Sequence, residues 1–93
     1  PLLEDALRIA RELENRQSES ANESRLGQID LERGEARRAV ERFERALDVA
    51  RQAGFPSQAV IARMGLARAF LSLEEPVKAR EEAEEAVRLC VSG

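Results

Sequence analysis

Few side chains in this chain could do chemistry. Glu23 and Asp30 stand seven residues apart, two helical turns, so a helix would carry both carboxylates on one face. Such a pair could line a polar pocket for a cationic ligand. The plainer arrangement is partial solvation, or pairing with Arg33, Arg37 or an arginine of the first helix, because buried alone the acids would cost several kcal/mol. The 93 residues include no histidine, which removes the commonest general base near neutral pH and the commonest metal ligand. Cys90 is the single cysteine, so the sequence offers no internal disulfide and no paired-thiolate metal site; it is expected to be a small core residue near a helix end. No Gly-rich phosphate loop, metal-ligand cluster or nucleophile–base pair is visible. The expectation is a non-enzyme with no cofactor and no metal.

Charge and aromatic content narrow the partners. Acids and bases are interleaved and the net charge is −3, so no strong field exists to recruit nucleic acid, and three Phe with no Trp or Tyr leave little on which bases could stack. No apolar run approaches a membrane span, and Leu2 and Leu3 are followed at once by Glu4 and Asp5, unlike a secretory signal. A reducing, cytoplasmic setting is expected. All but one of the 15 basic residues are arginine, a bias that hints at a GC-rich genome.

These residues need elements to position them, and the apolar spacing is helical throughout. Leu3, Ala6, Leu7, Ala10 and Leu13 form one stripe over 2–13. The polar run Asn15 to Ser20 reads as a turn and helix N-cap, followed by a helix over 20–33. Gly34 ends that helix, and the next runs over 36–53 until Gly54, Phe55 and Pro56 stop it. Ser57 is the expected N-cap of a largely apolar helix over 58–73. Glu74, Glu75 and Pro76 then turn the chain into a last helix ending about Val91. That makes five helices in one all-α domain spanning 1–93.

The chain also repeats itself. A shift of 40 places Ala6-Leu7 on Ala46-Leu47, Ala46-Leu47 on Ala86-Val87, Leu26-Gly27 on Leu66-Ala67, and Ala39 on Ala79. Self-similarity at such a period marks units that must stack to hide their apolar faces. The units are 1–15, the second helix of a truncated repeat whose partner either lies upstream in the native protein or is replaced by something else that covers the stripe; 18–54, repeat one; and 57–91, repeat two.

Leu26-Gly27, Gly34, Ala39, Phe43 and Ala46-Leu47 resemble a tetratricopeptide repeat, with its Leu-Gly in helix A, turn glycine, and alanine, aromatic, alanine in helix B. The second copy is Leu66-Ala67, Phe70, Ala79, Ala83 and Ala86-Val87. The pitch is longer than the usual 34 residues and looks like the longer-pitch branch found in bacterial regulators and scaffold proteins. The aromatic early in helix A is replaced by Glu23 and Arg63, and the usual tyrosine by Asp30 and Phe70. The resemblance implies an array of helical hairpins, an α-solenoid fragment, whose A helices line a groove. Here that groove would hold Ala21, Ser24, Gln28 and Leu31 from one copy and Ile61, Met64, Arg68 and Leu71 from the other. The Lys and Asn clamp by which some members hold chaperone carboxylates is absent. Ile61, Met64 and Leu71 suggest an apolar peptide or helix, or an adjoining repeat, against that surface.

The expected function is therefore protein or peptide binding by Ser24, Gln28, Leu31, Ile61, Met64, Arg68 and Leu71, as part of a larger scaffold or regulator. The alternatives are a self-association module whose open ends meet those of another copy, giving a homo-oligomer, and the sensing segment of a bacterial transcription regulator. The B helices differ in sign, Arg37, Arg38, Arg42 and Arg45 against Glu81, Glu82, Glu84 and Glu85. Those charges are a solvated face with local pairs such as Glu41–Arg45 and Glu84–Arg88, or else the register marks of head-to-tail contact.

Overall fold

The structure, a computed structural model, describes residues 2–92 and is all-α, in the order α1 (Leu2–Glu32), α2 (Ala36–Ala53), α3 (Pro56–Ser72) and α4 (Pro76–Ser92). The readings made at Pro1 and Gly93 lie outside the described residues. Each helix packs antiparallel on the next, and α1 also touches α3, so α1–α2 and α3–α4 form two hairpins side by side.

The three turns share one mechanism. Glu35 N–H donates to the Asp30 carbonyl at 2.8 Å, Phe55 N–H to Ala50 at 2.8 Å, and Glu75 N–H to Phe70 at 2.8 Å. Each bond spans five residues and recovers a carbonyl that the helix end would leave unpaired. The geometry requires a left-handed residue just before the donor, and Gly34 (φ 78°), Gly54 (φ 76°) and Glu74 (φ 60°) supply it. The expected N-cap at Ser57 is corrected: Pro56 already lies in the first turn of α3, where its missing N–H is no loss, and Phe55 holds the cap position with no side-chain cap bond.

The expected count of five helices is also corrected to four, because α1 runs unbroken through Asn15 to Ser20. Three observations explain it. That stretch holds neither proline nor glycine and no residue of positive φ, unlike every real turn in the chain. The Ser20 hydroxyl is not available as a cap, since it donates to the Ala46 carbonyl of α2 at 2.8 Å. Arg16 donates to Gln52 of α2 at 2.8 Å, fixing the same stretch against the second helix. The helical cost of Asn and Ser, about half a kcal/mol each, is smaller than that of an interrupted backbone ladder. Residues 2–15 therefore form a largely exposed extension of α1 rather than a separate packed helix.

The core is built on Phe43 of α2, fully buried with Ala39, Ala46, Ala50, Ala59, Ala62, Leu66 and Ala69 around it. Its ring is held between two glycines. A Cβ at Gly27 would lie 2.9 Å from Cε2 and Cζ of the ring, and one at Gly65 would lie 2.5 Å from Cδ1 and Cζ. The small residues of the repeat pattern, Gly27, Ala39, Ala46, Ala67, Ala79 and Ala86, are all buried. Gly65 is an equal partner that the sequence reading passed over.

Candidate interaction groove

Between α1 and α3, over Phe43 of α2, lies one shallow hollow of about 330 Å³. Ser24 and Gln28 reach it from α1, and Ile61 and Arg68 from α3, with Ala21, Arg25, Gln58 and the edge of Phe43 completing the wall. Four of the seven expected binding residues thus meet at one place. Leu31 instead lines a hollow at the other end, with Gly34, Arg37, Arg38 and Leu73. Met64 and Leu71 are exposed on α3, outside the described hollows.

Arg68 donates to the Gln28 side-chain oxygen. The two residues are equivalent under the 40-residue shift, so the bond joins matching positions of neighbouring hairpins. Beneath them lie polar atoms with no partner. Ser24 is 6% exposed, and neither its hydroxyl nor the Gln58 side-chain oxygen has a hydrogen bond, although both are buried. An unmet hydroxyl and an unmet amide oxygen beside Ile61 and Phe43 are groups that an extended peptide backbone can satisfy once Ser24 and Gln58 turn toward it, giving an N–H to Gln58 and a carbonyl to Ser24. Gln58 and Arg25 were not among the expected binding residues. Gln58 lies one turn before Ile61 on the same face, so the helical spacing held the signal.

The Glu23 and Asp30 carboxylates do not open a pocket. Arg42 of α2 lies between them, at 3.6 Å from Glu23 and 3.9 Å from Asp30, so pairing with arginine holds, but its partner is neither Arg33, Arg37 nor an arginine of the first helix. The second hairpin carries the same contact with signs reversed: Arg63 of α3 bonds Glu82 of α4 at 2.7 Å. Under the 40-residue shift Glu23 falls on Arg63 and Arg42 on Glu82. The hairpins keep the pair and exchange its ends.

Two smaller expectations are corrected. Arg88 pairs with Glu85 and not Glu84; its hydrogen bond to the Glu85 carboxylate holds that acid below its ordinary pKa, at a partly exposed site on α4 outside the groove. Cys90 is exposed and not in the core, because α4 has a helix against only one side. Among the described residues no group of His, Cys, Asp and Glu is placed to hold a metal ion, and no helix is long and apolar enough to cross a membrane. No family model, curated protein or solved structure matches the chain.

Proposed function

We propose that this chain is a non-catalytic protein-interaction module of tetratricopeptide type, part of a larger scaffold or regulator, which binds an extended or helical apolar peptide across the α1–α3 groove. One observation carries the reading: the buried, unpartnered Ser24 hydroxyl and Gln58 oxygen lie in the same hollow as Ile61, with the Gln28–Arg68 bond at its rim. Ile61, exposed Met64 and exposed Leu71 follow one another along α3 and supply apolar area for affinity. The two polar atoms, buried as the side chains stand, set backbone register when Ser24 and Gln58 turn toward the ligand, and Arg68 can leave Gln28 for a carboxylate on it. The Lys and Asn clamp is missing, so chaperone C-termini are not the expected ligands.

The test is selection from a displayed library of random 12-residue peptides. Enrichment of apolar sequences is expected. Binding of a selected peptide should fall at least tenfold for Ile61→Asp and for Ser24→Val, with helical circular dichroism unchanged. A library that yields no binder, or binders indifferent to both substitutions, refutes the groove.

A further inference from the structure

We propose that the chain assembles head to tail, the outer face of α4 in one copy docking on the outer face of α1 in the next, by repeating the contact that α2 and α3 already make. The inference is independent of the groove reading.

It starts from what each helix covers. The 40-residue shift places Phe43, Leu47 and Ala50 of α2 on Ala83, Val87 and Cys90 of α4. Leu47 is 7% exposed with α3 beside it, whereas Val87 is 59% exposed. The same shift places Leu66 and Ala69 of α3 on Leu26 and Ile29 of α1. Leu66 is 2% exposed in the core, whereas Leu26 is 40% exposed. The uncovered faces of α4 and α1 are therefore the two halves of a contact this chain already makes internally. A second copy supplies both halves.

Size and charge at that junction are complementary. Inside the chain the bulk comes from α2, with Phe43 pressed on Gly65 of α3. At the junction the corresponding residues are Ala83 of α4 and Arg25 of α1, so the bulk comes from the other side and the space is filled without a clash. Exposed Glu84 follows Ala83 on α4 and exposed Arg25 stands on α1, so opposite charges flank the junction. Such exchange of ends has a precedent inside the molecule, in Glu23–Arg42 and Arg63–Glu82. The junction would also set Arg68 of one copy beside Gln28 of the next, extending the row that their bond begins. A contact joining two different faces leaves one face of each kind free at the ends, and because it repeats the side-by-side stacking of successive hairpins the assembly grows as a stack.

The experiment is light scattering on the full chain under reducing conditions, from micromolar to millimolar concentration, with variants Val87→Glu and Leu26→Glu. Both positions are exposed, and circular dichroism verifies that the variants fold. The mass of the wild-type chain should rise with concentration past that of a dimer, and the rise should weaken in high salt. Each variant alone should stay at 10.4 kDa. Their equimolar mixture should stop at twice that mass, since one intact α1 face and one intact α4 face remain. Arg25→Glu and Glu84→Arg should each associate less than the wild-type chain at low salt, whereas their equimolar mixture should grow past a dimer, because both kinds of junction in it pair an acid with a base. A wild-type chain that stays monomeric at millimolar concentration overturns the proposal. So does self-association of Leu26→Glu at the wild-type level, which would mean that α4 faces pair with each other or that residues 2–15 cover α1.

Discussion

Phe43 decides more of this fold than any other side chain, and its two glycine neighbours give a prediction at the residue scale. A helical glycine costs about 1 kcal/mol relative to alanine, so Gly65→Ala would stabilise α3 if the site were open. It is not open, because the added methyl would meet the Phe43 ring. Overpacking of this kind costs about 1–3 kcal/mol, so after the helix gain a net loss of up to about 2 kcal/mol is expected in urea denaturation. Phe43→Leu should cost less in the G65A background than alone, and additivity would refute the contact. The Arg63–Glu82 bond gives a second prediction. Arg63→Glu sets two acids against each other in a half-buried site and should cost about 1–2 kcal/mol, while adding Glu82→Arg should recover most of it, since the first hairpin already works with acid on its first helix and base on its second. Both features were written in the sequence but only half legible. Gly27 stood out through its Leu-Gly context, whereas Gly65, in the middle of an apolar helix, was equally informative and needed the ring to explain it. Glu23 and Arg63 depart from the repeat pattern and Arg42 and Glu82 belong to helices of opposite sign, but only the packing shows that the four make two pairs with their ends exchanged.

At the scale of the element, three helix ends use one turn and fill its left-handed position differently. Gly34 and Gly54 take a positive φ without strain, but Glu74 does so at φ 60°, where an L side chain crowds the following carbonyl at a cost of about 1 kcal/mol. Glu74→Gly should therefore stabilise the chain by about 0.5–1 kcal/mol, the unfolded-state entropy of glycine offsetting part of the gain. Gly34→Ala should destabilise it by about 1 kcal/mol. Thermal unfolding of the two variants checks both signs, and a neutral Glu74→Gly would mean that this turn is unstrained. Turn positions were legible because glycine and proline mark them by their own backbone limits. The false turn at Asn15 to Ser20 shows the weakness of polar composition as a signal. Ser, Asn and Gln favour turns only while their side chains can bond their own backbone, and the Ser20 hydroxyl is spent on α2.

At the scale of the whole molecule, the unbroken 31-residue α1 sets the shape. The chain extends 53 × 30 × 14 Å with a radius of gyration of 14.7 Å, against about 12 Å for a compact chain of this length. The repeat in the sequence describes a different partition of the same residues. Leu3, Ala6, Leu7 and Ala10 correspond to Phe43, Ala46, Leu47 and Ala50, a stripe that in α2 is buried and in α1 is left uncovered. Local preference and repeat logic thus disagree over 2–15, and the structure follows local preference, since no residue in the stretch can reverse the chain. Spin labels at Asp5→Cys and Arg25→Cys, in a Cys90→Ala chain diluted with unlabelled protein, separate the two arrangements. A straight helix puts these positions about 30 Å apart along its axis, whereas a hairpin turned between Asn15 and Ser20 brings them within about 15 Å, the spacing of packed neighbours plus label arms. A single long distance is expected. A short one would mean that the stripe folds back over Leu26 and Ile29, which would close the α1 face that the head-to-tail contact requires.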